Sequence, residues 1–125
     1  MTVSPAGDLA AIAEGVGEID GLPIIDVDRL ASFTDGDQEV ESELADLFLT
    51  TAQRYLTEMR TALEEERSWS ASAHALKGAS GNLGARRVAV LAKEAETEAP
   101  SPAWLQVLQL AVDDVAAQFA KRTGS

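Results

Sequence analysis

The stretch "AHALKGASGNLGA", residues 73–85, contains the one histidine of the chain, His74. Lys77 follows it by three positions, Gly78 by four and Gly81 by seven. On a helix these spacings put all four residues on neighbouring turns of one side. Ser70 and Ala71 complete that side, so the imidazole stands among small groups and one positive charge. A neutral imidazole is a good nitrogen nucleophile, and its ordinary pKa of about 6.5 leaves much of it neutral at pH 7. An ammonium nearby attracts an incoming phosphoryl group and the charge that develops on it. A glycine inside a helix costs about 1 kcal/mol relative to alanine. Gly78 and Gly81 therefore need a reason, and open access to the ring is one.

A nucleophilic imidazole works best when its second nitrogen is held by an acceptor, which fixes tautomer and orientation. Glu94, Glu96 and Glu98 lie on the next helical segment. A hairpin turning near Gly84 pairs positions roughly symmetric about the turn. Glu96 follows Ala95 in the inner stripe of its helix, as His74 follows Ala73. Glu96 is thus the expected histidine-orienting residue.

These elements must be positioned by helices. "IIDVDRLASF" reads as a short helix capped by Asp26, with Leu30 and Phe33 on one side. From Asp37 to about Arg67 the pattern is one long helix. Val40, Leu44, Leu47, Thr51, Tyr55 and Met59 form its expected core stripe, widened by Phe48, Ala52, Leu56 and Leu63. Asp37, Glu39, Glu41 and Glu43 suit the positive end of its dipole. A second helix starts near Ser68, with Trp69, Ala73, Leu76, Ser80 and Leu83 inward, and ends at the glycines. A third runs from about Ala85 to Ala99, and "PSP" separates it from a fourth with Trp104, Leu108, Ala111, Val115 and Phe119 inward. Both tryptophans belong to core stripes. The expected fold is all-α: an antiparallel four-helix bundle with a short additional N-terminal helix. Residues 1–22, rich in Gly and Ala, read as a tail or linker with a weak helix around Asp8 to Glu14, and residues 23–122 as the domain.

Composition narrows the function. The formal net charge is −11, against binding to phosphate backbones or anionic membrane surfaces. The absence of cysteine excludes disulfides and thiolate chemistry, and a single histidine excludes the usual multi-histidine metal sites. The start lacks the basic end and apolar run of a signal peptide, so a cytoplasmic protein is expected. The initiating Met and the tail "AKRTGS" favour a free-standing protein. Arg86 and Arg87 read as solvated residues early in a helix.

The motif closely resembles the signature of histidine phosphotransfer (HPt) domains: the His, the Lys three on, the Gly four on and "LGA" all match. The resemblance covers roughly residues 22–120. It implies a four-helix bundle and a phosphorelay intermediate of two-component signalling. His74 would be the phosphoacceptor, Lys77 the phosphate-stabilising cation, and Gly78 and Gly81 the access for a partner. The family places Gln or Glu on the following helix to hold the histidine, which falls here on Glu96. The implied partners are a response-regulator receiver domain and a sensor or hybrid histidine kinase, with no nucleic acid and no membrane. The implied state is a monomer without its own kinase region. No cofactor is implied in this chain, and Mg2+ is expected only in the receiver. The alternative is a non-transferring helical adaptor that binds a signalling partner by shape, but a pure adaptor has no need of the histidine.

Overall fold

Asp26 and Asp37 each start a helix by accepting backbone N–H groups on a carboxylate oxygen. Asp26 takes the amide of Arg29 at 3.2 Å and opens α1, Val27–Thr34. Asp37 takes the amides of Glu39 at 2.9 Å and Val40 at 3.3 Å and opens α2, Gln38–Glu64. Three further helices follow: α3, Ser70–Leu83; α4, Arg86–Glu96; and α5, Pro102–Arg122. The computed structural model describes residues 21–122, and no strand occurs among them. The weak helix expected around Asp8 to Glu14 lies outside the described residues, as does the rest of the tail up to residue 20.

The helices α2, α3, α4 and α5 close a ring in which each packs on two neighbours, and α1 lies against α2. The expected antiparallel four-helix bundle with a short extra helix is the architecture. The reversal between α3 and α4 takes two residues, Gly84 and Ala85. Gly84 has φ +94° and donates its N–H to Ser80 O at 3.0 Å. A Cβ there would meet the Cβ and carbonyl oxygen of Asp26 at 3.2 Å, so the turn needs glycine. Gly84 O in turn accepts from Asp26 N at 2.7 Å, which pins the entry to α1 on the α3–α4 turn. Arg87 reinforces this by donating from Nε to Leu22 O at 2.7 Å. It is therefore a structural clasp, not the solvated arginine expected of its position.

Leu30, Leu56, Met59, Trp69, Leu76, Val88, Leu108 and Val115 are fully buried, giving the largely aliphatic core expected. Each such side chain contributes about 1.5–3 kcal/mol by leaving water. The buried line of α2 keeps Phe48, Ala52, Leu56 and Met59 of the expected stripe but leaves out its first residues. It runs through Ala45, Phe48, Ala52, Leu56, Met59 and Ala62, whereas Leu47 is 65% exposed and Val40 37%. Phe33 is likewise 53% exposed although Leu30 is buried. Small alanines on the inner line let α2 approach its neighbours, and that close approach turns the bulkier residues outward.

Two helix ends also move. α2 stops at Glu64, not near Arg67, because Glu66 adopts φ +54°. α4 stops at Glu96, not Ala99: Thr97 and Glu98 donate back to the carbonyls of Glu94 and Ala95 in a tightened last turn. Pro100 also disfavours helix at the residue before it. At the far end of the bundle, Arg122 of α5 grips the buried carboxylate of Glu41 through both Nε and Nη2.

Candidate functional site

His74 sits in the second turn of α3, between two anchors. Ala73, the residue before it, is fully buried in the ring, which fixes the azimuth of the helix. Ser72 Oγ donates to Glu58 Oε2 at 3.1 Å, which ties the same turn to α2. The imidazole points away from the core and keeps 65% of its side-chain surface in solvent.

Glu96, the last residue of α4, reaches the ring from the neighbouring helix. Its Oε1 lies 2.9 Å from His74 Nδ1. A carboxylate can only accept, so Nδ1 carries the proton and Nε2 is the nitrogen with the free lone pair in the neutral ring. The carboxylate is 24% exposed, so it holds the ring from the half-buried side while the other nitrogen faces water. The α3–α4 hairpin thus brings His74 together with the glutamate that follows the inner stripe of α4.

Lys77 shares the same carboxylate. Its Nζ lies 3.7 Å from Glu96 Oε2. The ammonium is thus held at the carboxylate that also holds the imidazole, one helical turn along α3 from His74. One carboxylate, one imidazole and one ammonium therefore form a compact row across α3 and α4.

Gly78 and Gly81 lie on the outer line of α3 that continues from His74. A Cβ added to either would meet nothing within 4 Å. Neither glycine is required by packing against another helix. The space above them is open, and a partner surface can approach the ring along that line.

A feature missed in the sequence borders this line. Phe33, Val40, Leu44, Leu47, Ala79 and Asn82 line a groove of about 490 Å³ between α1, α2 and α3. Val40, Leu44 and Leu47, expected in the core stripe of α2, are among the side chains that line it. The signal was present: Phe48, Ala52, Leu56 and Met59 form an inner line of their own, and one helix cannot bury both. Arg29 contacts two of the groove's lining residues, Phe33 and Asn82. Its Nε donates to Gly81 O and Asn82 O, both at 3.1 Å, and its guanidinium lies 5.2 Å from the centre of the Phe33 ring. Exposed Glu39, Glu43 and Asp46 follow the outer side of α2 beside it.

No helix among the described residues is long and apolar enough to cross a membrane. In a comparison with known families, a model described as Hpt domain aligns with residues 43–118. That span contains His74, Lys77, Gly78, Gly81 and Glu96. No curated protein and no solved structure matches the chain.

Proposed function

Because that match covers more than half of its length, the chain belongs to the Hpt domain family of two-component phosphorelays, and on this premise we propose that His74 carries the phosphoryl group. The observation that supports this most directly is the hydrogen bond from Nδ1–H to Glu96, which leaves Nε2 exposed as the nucleophile.

In the accepting direction, the lone pair of Nε2 attacks the phosphorus of an aspartyl phosphate on a receiver domain. The N–P bond forms as the P–O bond to the aspartate breaks, and the aspartate leaves as a carboxylate. The proton on Nδ1 stays in place. Positive charge that builds on the ring is met by Glu96, and Lys77 faces the phosphoryl oxygens as it turns from the glutamate. Delivery to a receiver aspartate is the same step reversed. A sensor or hybrid histidine kinase is the other donor. The chain has no nucleotide-binding element in this scheme, and any Mg2+ belongs to the receiver.

The receiver docks over the outer line of α3 and into the groove beside it. Ala79 and Asn82 belong both to the groove and to the helix of His74, so a body that spans the groove and the outer line of α3 reaches Nε2. An apolar ridge flanked by basic residues matches the exposed Phe33, Val40 and Leu47 and the acidic side of α2. We take the working unit to be a cytoplasmic monomer comprising residues 23–122.

The test is phosphotransfer profiling. The phosphorylated chain is mixed with purified receivers, and rapid loss of label to one of them is expected. Failure of the chain to take label from any kinase or phosphorylated receiver, with the fold intact, would leave the adaptor reading in its place.

A further inference from the structure

Trp69 is buried to 1% at the start of α3, level with the last turn of α4. Its indole Nε1–H donates to Ala95 O at 2.8 Å, across 26 residues of chain. Ala95 O lies in the last turn of α4, where it also accepts the backbone N–H of Glu98 at 3.1 Å. The next residue is Glu96, and the peptide group that the indole holds is the one joining Ala95 to Glu96. Five positions after Trp69, on the same helix, stands His74. Both ends of the His74–Glu96 hydrogen bond are thus attached to the two ends of the Trp69–Ala95 bond by short, rigid pieces of backbone.

We propose that Trp69 is a positioning residue for the phosphoacceptor: its indole N–H fixes the last turn of α4 and so sets the Glu96 carboxylate against Nδ1 of His74. Helix ends fray readily, and Glu96 is the terminal residue of α4. Thr97 and Glu98 close that end only with backbone bonds of 3.4 Å and 3.1 Å. The indole bond is shorter and dry, and it joins the turn to a different helix. Without it the core still contains an aromatic ring and Ala92 and Ala95 stay packed, but the hydrogen bonds left between α3 and the turn that carries Glu96 are those of the site residues themselves. The role of the ring rests on the proposed function, whereas the positioning is tested on the ring itself with no transfer step.

The experiment uses the full chain labelled with 15N at histidine, whose single imidazole makes every ring signal His74. Nitrogen shifts are recorded at a pH where the ring is neutral. The wild-type ring is expected in the Nδ1–H form. Trp69→Phe keeps the bulk and removes the donor, and is expected to move the shifts to a tautomer mixture while the amide spectrum stays dispersed. In a Glu96→Ala background the same Trp69→Phe change is expected to add nothing, since the carboxylate it positions is gone. Wild-type nitrogen shifts in Trp69→Phe, or an equal change in both backgrounds, would overturn the proposal. Should Trp69→Phe fail to fold, the wild-type indole signals decide. The Nε1–H resonance of Trp69 must then move when His74 is protonated while that of Trp104 stays still. An unmoved Trp69 signal rules the coupling out.

Discussion

Glu96 Oε1 lies 2.9 Å from His74 Nδ1, across 22 residues of chain and one reversal between helices. The contact gives the two ring nitrogens different surroundings. Nδ1 is held by a carboxylate that is only 24% exposed, on a side chain that is itself 65% exposed. The difference is set by the backbone geometry of the α3–α4 hairpin.

Replacing the nucleophile alone should remove phosphorylation and leave the bundle standing. His74→Gln is expected to carry no acid-labile phosphate while keeping stability within about 0.5 kcal/mol, as for an exposed residue away from the core. Labelling with a phosphodonor, followed by acid treatment and a denaturant titration, checks both halves. Retained acid-labile label would refute the assignment.

Glu96 and Lys77 should separate by the size of their effects. A hydrogen bond to a charged group contributes about 1.5–3 kcal/mol, and 1.4 kcal/mol corresponds to a factor of ten in rate. Glu96→Ala is therefore expected to slow transfer by about tenfold or more without stopping it, because Nε2 survives. Lys77→Ala is expected to slow it less, since its ammonium already leans toward the glutamate. Single-turnover transfer to one receiver measures the two rates side by side. A larger loss from Lys77→Ala than from Glu96→Ala would reverse the ranking.

Gly78 should separate stability from docking. Nothing stands within 4 Å of a Cβ at this position, so Gly78→Ala is expected to stabilise the chain by up to about 1 kcal/mol. Gly78→Gln gains helix propensity in the same way but fills the space above the outer line of α3. It is expected to melt no lower than wild type and to transfer poorly. Wild-type transfer by Gly78→Gln would show that the receiver never uses that space.

Arg122 should prove structural. The hydrogen bond to Glu41 raises the pKa of the Arg122 guanidinium, so the guanidinium's contribution is present throughout the physiological range and is lost as pH rises into strong alkali. Arg122→Ala leaves the buried Glu41 carboxylate unpaired and is expected to cost about 3 kcal/mol. Adding Glu41→Leu should recover at least about 1 kcal/mol of that loss, since an apolar group replaces the stranded charge. Denaturant midpoints of the single and double variants give the comparison. No recovery in the double variant would mean that the pair is not what holds α5 to α2.

Much of the site was legible because it depends on regular geometry. His74, Lys77, Gly78 and Gly81 follow from helical spacing within α3. The two-residue turn between two straight helices sets His74 opposite the stretch from Glu94 to Glu96, and the place of Glu96 beside the inner stripe, next to Ala95, singles it out. The inner face of α2 was less legible. Val40, Leu44 and Leu47 are stronger hydrophobes than Ala45, Ala52 and Ala62, so apolar character alone favours the wrong line. Close packing of helices favours the small residues instead. The indole bond of Trp69 and the clasp of Arg87 on Leu22 O were not legible at all. Each depends on where a carbonyl far along the chain lies in space, and no local pattern encodes that.

The open groove on α1, α2 and α3 also affects the colloidal behaviour of the molecule. Phe33, Val40 and Leu47 would make an adhesive face on a neutral protein. Here that face belongs to a chain of formal net charge −11, and copies repel one another before the grooves can meet. The repulsion reaches about 10 Å in 0.1 M salt and about 3 Å in 1 M salt. Light scattering should therefore report single copies in dilute buffer and growing association as salt is added. Leu47→Lys, which charges the groove itself, should abolish that growth. The same long-range repulsion discriminates among partners in dilute salt, because an acidic body is turned away at a distance and a basic one is drawn in.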